Sequence, residues 1–206
     1  MVLTTDDFKD ILEELEHRPL PNNMYRKHVG DGRSQTFGIV HRRNLLPDYS
    51  RLCWLRPKLY KHLLDFAEKH VQIPYNAITV NQNYKSKPHY DKHNVGSSYL
   101  VGFGDYINGE LKIHESDLSG EHNIRHSPIV ADFSKLLHST NNWTGNRYSL
   151  VFYQFHLPNR PVVLPLPSVK YEDHIYKFYR GDEYIDPKIG LPHNLKGRKK
   201  SNVLLH

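Results

Sequence analysis

Cysteine is almost missing: Cys53 stands alone among 206 residues, so no disulfide can close within the chain and no zinc site can rest on paired thiolates. Any metal must be held by nitrogen and oxygen. Long apolar runs are missing too. No stretch approaches the roughly 20 residues that span a bilayer, and the opening MVLTTDDFKDILEELEHR carries acids where a secretory leader needs a basic start and an apolar run. The expectation is an intracellular protein, nuclear or cytoplasmic, without a membrane partner. Acids are in the minority, 22 against 28 Lys and Arg, for a formal charge of +6. Such a balance favours a polyanionic partner, because Lys and Arg meeting phosphates release counterions. The bases are clustered in Arg26-Lys27-His28, at Arg33, in His41-Arg42-Arg43 and in a tail from Lys196 to Lys200. Arg33, Arg42 and Arg43 are therefore the candidate nucleic-acid contacts.

What is present is enough for one domain over 1–206, with 38% hydrophobic residues and 14 tyrosines to build a core. Phe8, Ile11, Leu12 and Leu15 recur at helical spacing behind the capping candidates Thr5 and Asp6, and Pro19 and Pro21 end the pattern. A second helix is expected from Pro57, with Leu59, Tyr60, Leu63, Leu64, Phe66 and Ala67 on its apolar face, stopping before Pro74. Gln35 to Val40 reads as a strand, and Gly30-Asp31-Gly32 before it as a turn. From residue 77 the texture changes to short β-rich runs: ITVNQNY, SSYLVGFGDY, GELKIHE, HNIRHS, ADFSKLLHS and RYSLVFYQF. Their spacing argues for an antiparallel sandwich or barrel. The chain thus divides into helical support (1–76), a β core (about 77–155) and a C-terminal wrap with a basic tail (156–206). Within that wrap YEDHIYKFYRGDEY reads as holding a short helix.

The chemistry lies in two separated pieces. His89-Tyr90-Asp91 follows the first β run and a turn ending in Pro88; with 15 histidines in the chain, a His-x-Asp triplet alone is unspecific. Downstream, ADFSKLLHS ends in His138, and Arg147 opens the strand RYSLVFYQF, where period two places Arg147, Ser149, Val151 and Tyr153 on one face. Two imidazoles and a carboxylate on one face of an octahedral ion leave positions open for a chelating 2-oxo acid and dioxygen. Arg147 offers a planar fork for a distal carboxylate and Ser149 a further donor. Asn81 and Asn83 share a face of the first strand opposite Ile78 and Val80 and are pocket-lining candidates; the other reading of both is as strand-end turn formers. Other readings of the same residues are a zinc hydrolase through His89-x-Asp91-x-His93, an inert barrel, and an ordinary ion pair of Arg147 with a carboxylate such as Asp132.

His89-x-Asp91, then His138, then Arg147-x-Ser149 on the last strand is similar to the signature order of the 2-oxoglutarate and iron(II) dioxygenases. The resemblance spans about residues 77 to 155. Within that superfamily NQNYKSKPHYDKHNVGSSYLVGFGDYINGEL most resembles the TET and JBP branch, which oxidises 5-methylpyrimidines in DNA. The shared texture is Asn81-x-Asn83-Tyr84 before the His, an Asn-x-Gly after the Asp, and Phe103-Gly104-Asp105-Tyr106 running into Gly-Glu-Leu. These 206 residues contain no cysteine-rich zinc region of the TET kind and no separate DNA-binding domain of the JBP kind.

The resemblance implies an α+β, mainly β fold: a double-stranded β-helix (jelly-roll, cupin-like) core buttressed by the N-terminal helices. It implies Fe(II) on His89, Asp91 and His138, 2-oxoglutarate anchored by Arg147 and Ser149, and O2 as oxidant. Retention of Asp91 favours hydroxylation over halogenation. The implied substrate is a methylated base in nucleic acid, DNA before RNA; the alternative is a peptide or protein, as for a prolyl or other side-chain hydroxylase.

Overall fold

The computed structural model describes residues 3–21, 30–40, 48–155, 169–172, 175–180 and 183–185. The chain opens with a 3₁₀ turn, Thr5–Phe8, and helix α1, Lys9–His17. The cap is Thr4, one residue before the expected Thr5 and Asp6. Its N–H and hydroxyl both donate to the Asp7 carboxylate, at 2.7 and 2.9 Å, a capping box that answers donors the helix start would otherwise leave open. The Thr4 N–H is also the main reason that the Asp7 carboxyl sits below its usual pKa. Helix α2, Leu52–Leu55, was not legible in the pattern; α3, Pro57–His70, starts at the proline as expected.

Strand β1, Gly30–Val40, begins earlier than the expected Gln35 and absorbs the glycines read as a turn. The reason is a bulge. Asp31 pairs with Lys85 and Arg33 with Gln82 on β3, Ala77–Ser86, so β3 carries one extra residue, and Asn83 sits there at φ 48°. Gly32 lies against it: a Cβ there would meet the Asn83 carbonyl oxygen at 2.1 Å. Strands β2 (Asp48–Tyr49), β4 (Ser98–Phe103), β8 (Ile129–Ala131) and β11 (Tyr148–Tyr153) complete an antiparallel sheet ordered β2-β1-β3-β11-β4-β8. Across from it stands a three-stranded sheet of β7 (Gly120–His122), β6 (Leu111–Ile113) and β9 (His138–Thr140), with β5 (Tyr106–Asn108) paired to β10 (Trp143–Gly145). The run HNIRHS, read as β-rich, contributes mainly a single bridge, Arg125 to Gly102.

Period two decides what the large sheet shows to each side. Phe37, Ile78, Val80, Val101, Phe103, Leu150 and Phe152 face the helices and pack on Phe8, Ile11, Leu15, Leu59, Leu63 and Phe66. Thr36, Thr79, Asn81, Ser149 and Val151 turn the other way and line a cavity. A smaller core of Leu111, Ile113, Ile124, Ala131, Phe133 and Leu136 closes the far end. Among the described residues of YEDHIYKFYRGDEY the expected helix is not found. Strands β12 (Val169–Glu172), β13 (Ile175–Arg180) and β14 (Glu183–Ile185) form an antiparallel meander instead. Tyr171, Ile175, Tyr176, Phe178 and Tyr179 are β-branched or aromatic, residue types that suit a pleated strand better than a helix. The basic residues 26–28, 41–43 and 196–200 lie outside the described residues. Among those described, no helix is long and apolar enough to cross a membrane.

Candidate active site

His89 and His138 are 49 positions apart in the numbering yet directly opposed, each donating its backbone N–H to the other's carbonyl at 3.0 Å. That pairing extends the β7-β6-β9 sheet by one more stretch of chain and holds the two rings 4.3 Å apart. Both rings are oriented in the same way. His89 Nδ1 lies 2.7 Å from the Lys87 carbonyl oxygen and His138 Nδ1 2.8 Å from that of Leu136. A carbonyl only accepts, so each neutral ring carries its proton on Nδ1 and presents an unprotonated Nε2. Such fixing of the tautomer by the second nitrogen is how metal-bound imidazoles are held.

Asp91 meets those nitrogens. Its carboxylate oxygens lie 3.6 Å from His89 Nε2 and 4.0 Å from His138 Nε2, and the three ligand atoms all fall within 4.8 Å of one another. Donors bound to a first-row ion at about 2.1 Å would stand slightly closer together, so a small inward movement suffices. Asp91 is steadied by its N–H to Phe133 O at 3.0 Å and by Asn94, whose N–H reaches Asp91 O at 2.8 Å. Burial holds the His138 ring below the usual imidazole range, against the pull of the Leu136 carbonyl; the neutral ring is the ligating form. Among the described residues this is the one group of three or more His, Cys, Asp or Glu suited to an ion.

The trio opens on a cavity of about 1040 Å³ between the two sheets. Arg147 lies at the same cavity, only 3% exposed. Its Nε donates to Gly109 O at 3.0 Å, and the guanidinium stacks between Tyr106 and Trp143, 5.5 and 5.7 Å from the ring centres. Gly109, at φ +75°, permits this: a Cβ would meet Arg147 Cδ and Nε at 3.0 Å. Burial pulls the Arg147 pKa down, with Tyr106 and Glu110 opposing. No carboxylate pairs with it among the described residues. Asp132, the alternative partner, is bound to Lys135 at 2.8 Å and to Ser134. A buried cation facing a cavity, with no carboxylate in ion-pair contact among the described residues, is suited to an anionic ligand.

Ser149 lies beside Arg147 on the cavity face and accepts from Asn81 Nδ2 at 3.1 Å. Thr36 and Thr79 share a hydrogen bond of 3.1 Å, and Thr79 reaches the Tyr153 hydroxyl at 3.3 Å. Sequence reasoning missed Tyr84, Ser86 and Thr140, which also line the cavity. The bulge at Asn83 shifts the phase of β3, so the residues after it point inward on the opposite parity; the signal was Gly32 opposite Asn83. Asn83 itself leaves the cavity and accepts the Arg147 N–H at 2.8 Å. Arg33 is not brought to the site, because Ser34 and Thr36 take the cavity side of β1 and alternation turns Arg33 the other way. Arg42 and Arg43 lie outside the described residues. His93 is exposed at the cavity wall and is no member of the trio; His114, also exposed, is bonded to Ser139 at 2.9 Å.

No protein-family model matches the chain, and neither does any curated protein. Among solved structures, NgTET1 in complex with 5mC DNA is similar at a TM-score of 0.54 and 14% identity, over 74% of this chain and 69% of that one. A Pseudomonas putida prolyl-4-hydroxylase (TM-score 0.47, 12% identity, 77% and 90% of the two chains) overlaps more loosely. So does a 2OG-Fe(II) oxygenase family protein of Burkholderia pseudomallei (0.44, 14%, 69% and 74%). At these identities the likeness is one of fold, and the fold is that of NgTET1.

Proposed function

We propose that the chain is an iron(II)- and 2-oxoglutarate-dependent oxygenase that hydroxylates a C–H bond, with a 5-methylpyrimidine base in nucleic acid as substrate. The observation that carries this reading is the pairing of features in one cavity: three convergent groups of the right type, and a buried arginine with no carboxylate in ion-pair contact among the described residues. The two facing sheets are read as the halves of a double-stranded β-helix, and residues 1–206 as one domain around it. His89, Asp91 and His138 would hold the iron. The donor set fits, since two Nδ1-anchored imidazoles and one carboxylate suit Fe(II) and leave coordination positions open.

When bound, iron with 2-oxoglutarate and dioxygen supplies an oxidant that places one oxygen atom in the substrate and the other in succinate, with release of carbon dioxide. The protein's own work is positional. Arg147 grips the distal carboxylate of the 2-oxo acid in a buried site where a charge-assisted bond is strong, and Ser149, oriented by Asn81, adds a donor. Thr36, Thr79 and Tyr153 form an uncharged hydroxyl-bearing wall on which a neutral group can be aligned. The nucleic-acid part of the reading is supported by the positive charge balance and by the fold shared with a structure that contains 5mC DNA. It does not rest on Arg33. The test is iron-dependent conversion of 2-oxoglutarate to succinate with DNA, RNA and peptide pools offered separately. Stimulation by methylated DNA together with an oxidised base by mass spectrometry is expected; stimulation by peptide alone would replace the substrate with a peptidyl side chain, and no succinate in any arm would end the oxygenase reading.

A further inference from the structure

We propose that Lys92 and His93 form a phosphate-gripping rim at the cavity, on which the backbone of a nucleic acid rests while one base lies inside. The inference rests on the reading of nucleic acid as substrate and locates where that polymer is held. Both side chains are exposed, and both line the cavity that contains the metal trio, one and two residues beyond Asp91. Lys92 has no carboxylate within ion-pair distance among the described residues. The nearby acids are committed elsewhere: Asp91 turns inward to the histidines and Glu115 accepts from the Tyr90 hydroxyl.

The charges along the cavity make two separate anion positions. Arg147 supplies the deep one, and Lys92, with a ring N–H of His93 as a further hydrogen-bond donor, supplies one at the wall beside the trio. Between them the sheet presents Thr36, Thr79 and Tyr153, with no charge. A ligand that satisfies this order has an uncharged body and an anionic attachment, as an extruded base on a phosphodiester has. The rim is also fixed in place. On one side the His89 and Asp91 N–H groups bind His138 O and Phe133 O, both at 3.0 Å; on the other the Asn94 N–H binds Asp91 O at 2.8 Å and the Val95 N–H binds Gln154 O at 2.7 Å. So anchored a backbone loses little further freedom on binding, which leaves the ordering of the two side chains as the main conformational cost.

The experiment is anisotropy of a labelled single-stranded oligomer containing 5-methylcytosine, titrated with the full chain across a salt series. Wild type is compared with Lys92→Gln, the Lys92→Gln/His93→Gln pair, Lys92→Arg and, as a control on β6, Lys112→Gln; circular dichroism checks that each variant is folded. Lys92→Gln should weaken binding several-fold and flatten the slope of log K against log salt by about 0.7. Lys92→Arg should keep the slope, and Lys112→Gln should leave it as it was. Oligomer binding by wild type with an unaltered affinity and slope in the double variant overturns the rim alone. No oligomer binding by wild type overturns the nucleic-acid reading and the rim with it, and transfer of the Lys92 dependence to an acidic peptide does the same.

Discussion

At the scale of single residues, the site turns on which atoms are left available. The Leu136 and Lys87 carbonyls claim the Nδ1 positions, so Nε2 of each ring is the atom left to face a metal. His138→Ala should therefore abolish metal uptake, measured by calorimetry with iron(II) or cobalt(II), and reduce succinate formation at least about a hundredfold. Its thermal midpoint should fall by only a few degrees, because the ring borders a cavity. The pH dependence has a definite sign. Burial lowers the His138 pKa on folding, so the unfolded chain holds more protons there between the folded value and about 6.5. The stability that the ring contributes is complete above that upper value and is lost as pH falls through the folded one. Metal-free protein should thus melt at lower temperature on acidification from about pH 6.5, and His138→Gln should remove part of that slope in matched melts.

Arg147 obeys a different rule. Lysine would keep the charge but lose the fork, the stacking between Tyr106 and Trp143 and the bond to Gly109 O. Arg147→Lys should raise KM for 2-oxoglutarate about tenfold or more, the worth of roughly 1.4 kcal/mol, while Ser149→Ala shifts it by a smaller factor. Unchanged constants in Arg147→Lys would move the anchor away from this residue.

At the scale of elements, the bulge in β3 does what no single strand pattern announces. Before it, Thr79 and Asn81 face the cavity; after it, Tyr84 and Ser86 do. A strict period-two reading of ITVNQNY carries the wrong parity past Asn83, and this is why Asn81 was legible in the sequence and Tyr84 and Ser86 were not. The same cause hid the first half of β1, whose Gly30 and Gly32 signal close backbone approach across a bulge as readily as a turn. Asn83→Ala should cost about 1–2 kcal/mol, from the strained φ and the lost bond to Arg147. Asn83→Gly should recover most of the conformational part. Urea midpoints separate the two, and KM for 2-oxoglutarate should rise in both, because each loses the side-chain acceptor that seats the Arg147 backbone. Equal KM values in wild type and both variants would limit Asn83 to a structural part.

At the scale of the molecule, helices and strands share one sheet as a wall, apolar toward the helices and polar toward the cavity. Both long helices were legible because their apolar stripes repeat strictly, and Pro57 marks a start that only an N-terminal position tolerates. That His89, Asp91, His138 and Arg147 belong to one candidate site was legible as well, since residue type and order survive without knowledge of pairing, and the structure brings all four to one cavity. Distances and partners were not, for Arg147 is seated by Gly109, Tyr106 and Trp143, which lie on β5 and β10 and the turns beside them. The helical layer should act on stability more than on chemistry. Phe8 stacks on Phe103 at 4.8 Å and lies 5.1 Å from Phe66, so Phe8→Ala should cost about 3–5 kcal/mol in denaturant titrations. Folded Phe8→Ala protein at low temperature should retain the wild-type KM for 2-oxoglutarate.

The reciprocal pairing of His89 with His138 sets the order in which the site can come into being. The two backbones that carry the imidazoles meet only when β9 has returned to the edge left by residue 89, and the central strand β3 gains its second neighbour only with β11. A growing chain that has not yet produced Tyr148–Tyr153 already contains His89, Asp91 and His138 but lacks the strand that closes the sheet behind them. On the proposed reading, iron capture would be a late event, coupled to closure of the last core strand. Metal supplied during refolding should bind in the same kinetic phase that protects the β11 amides from exchange.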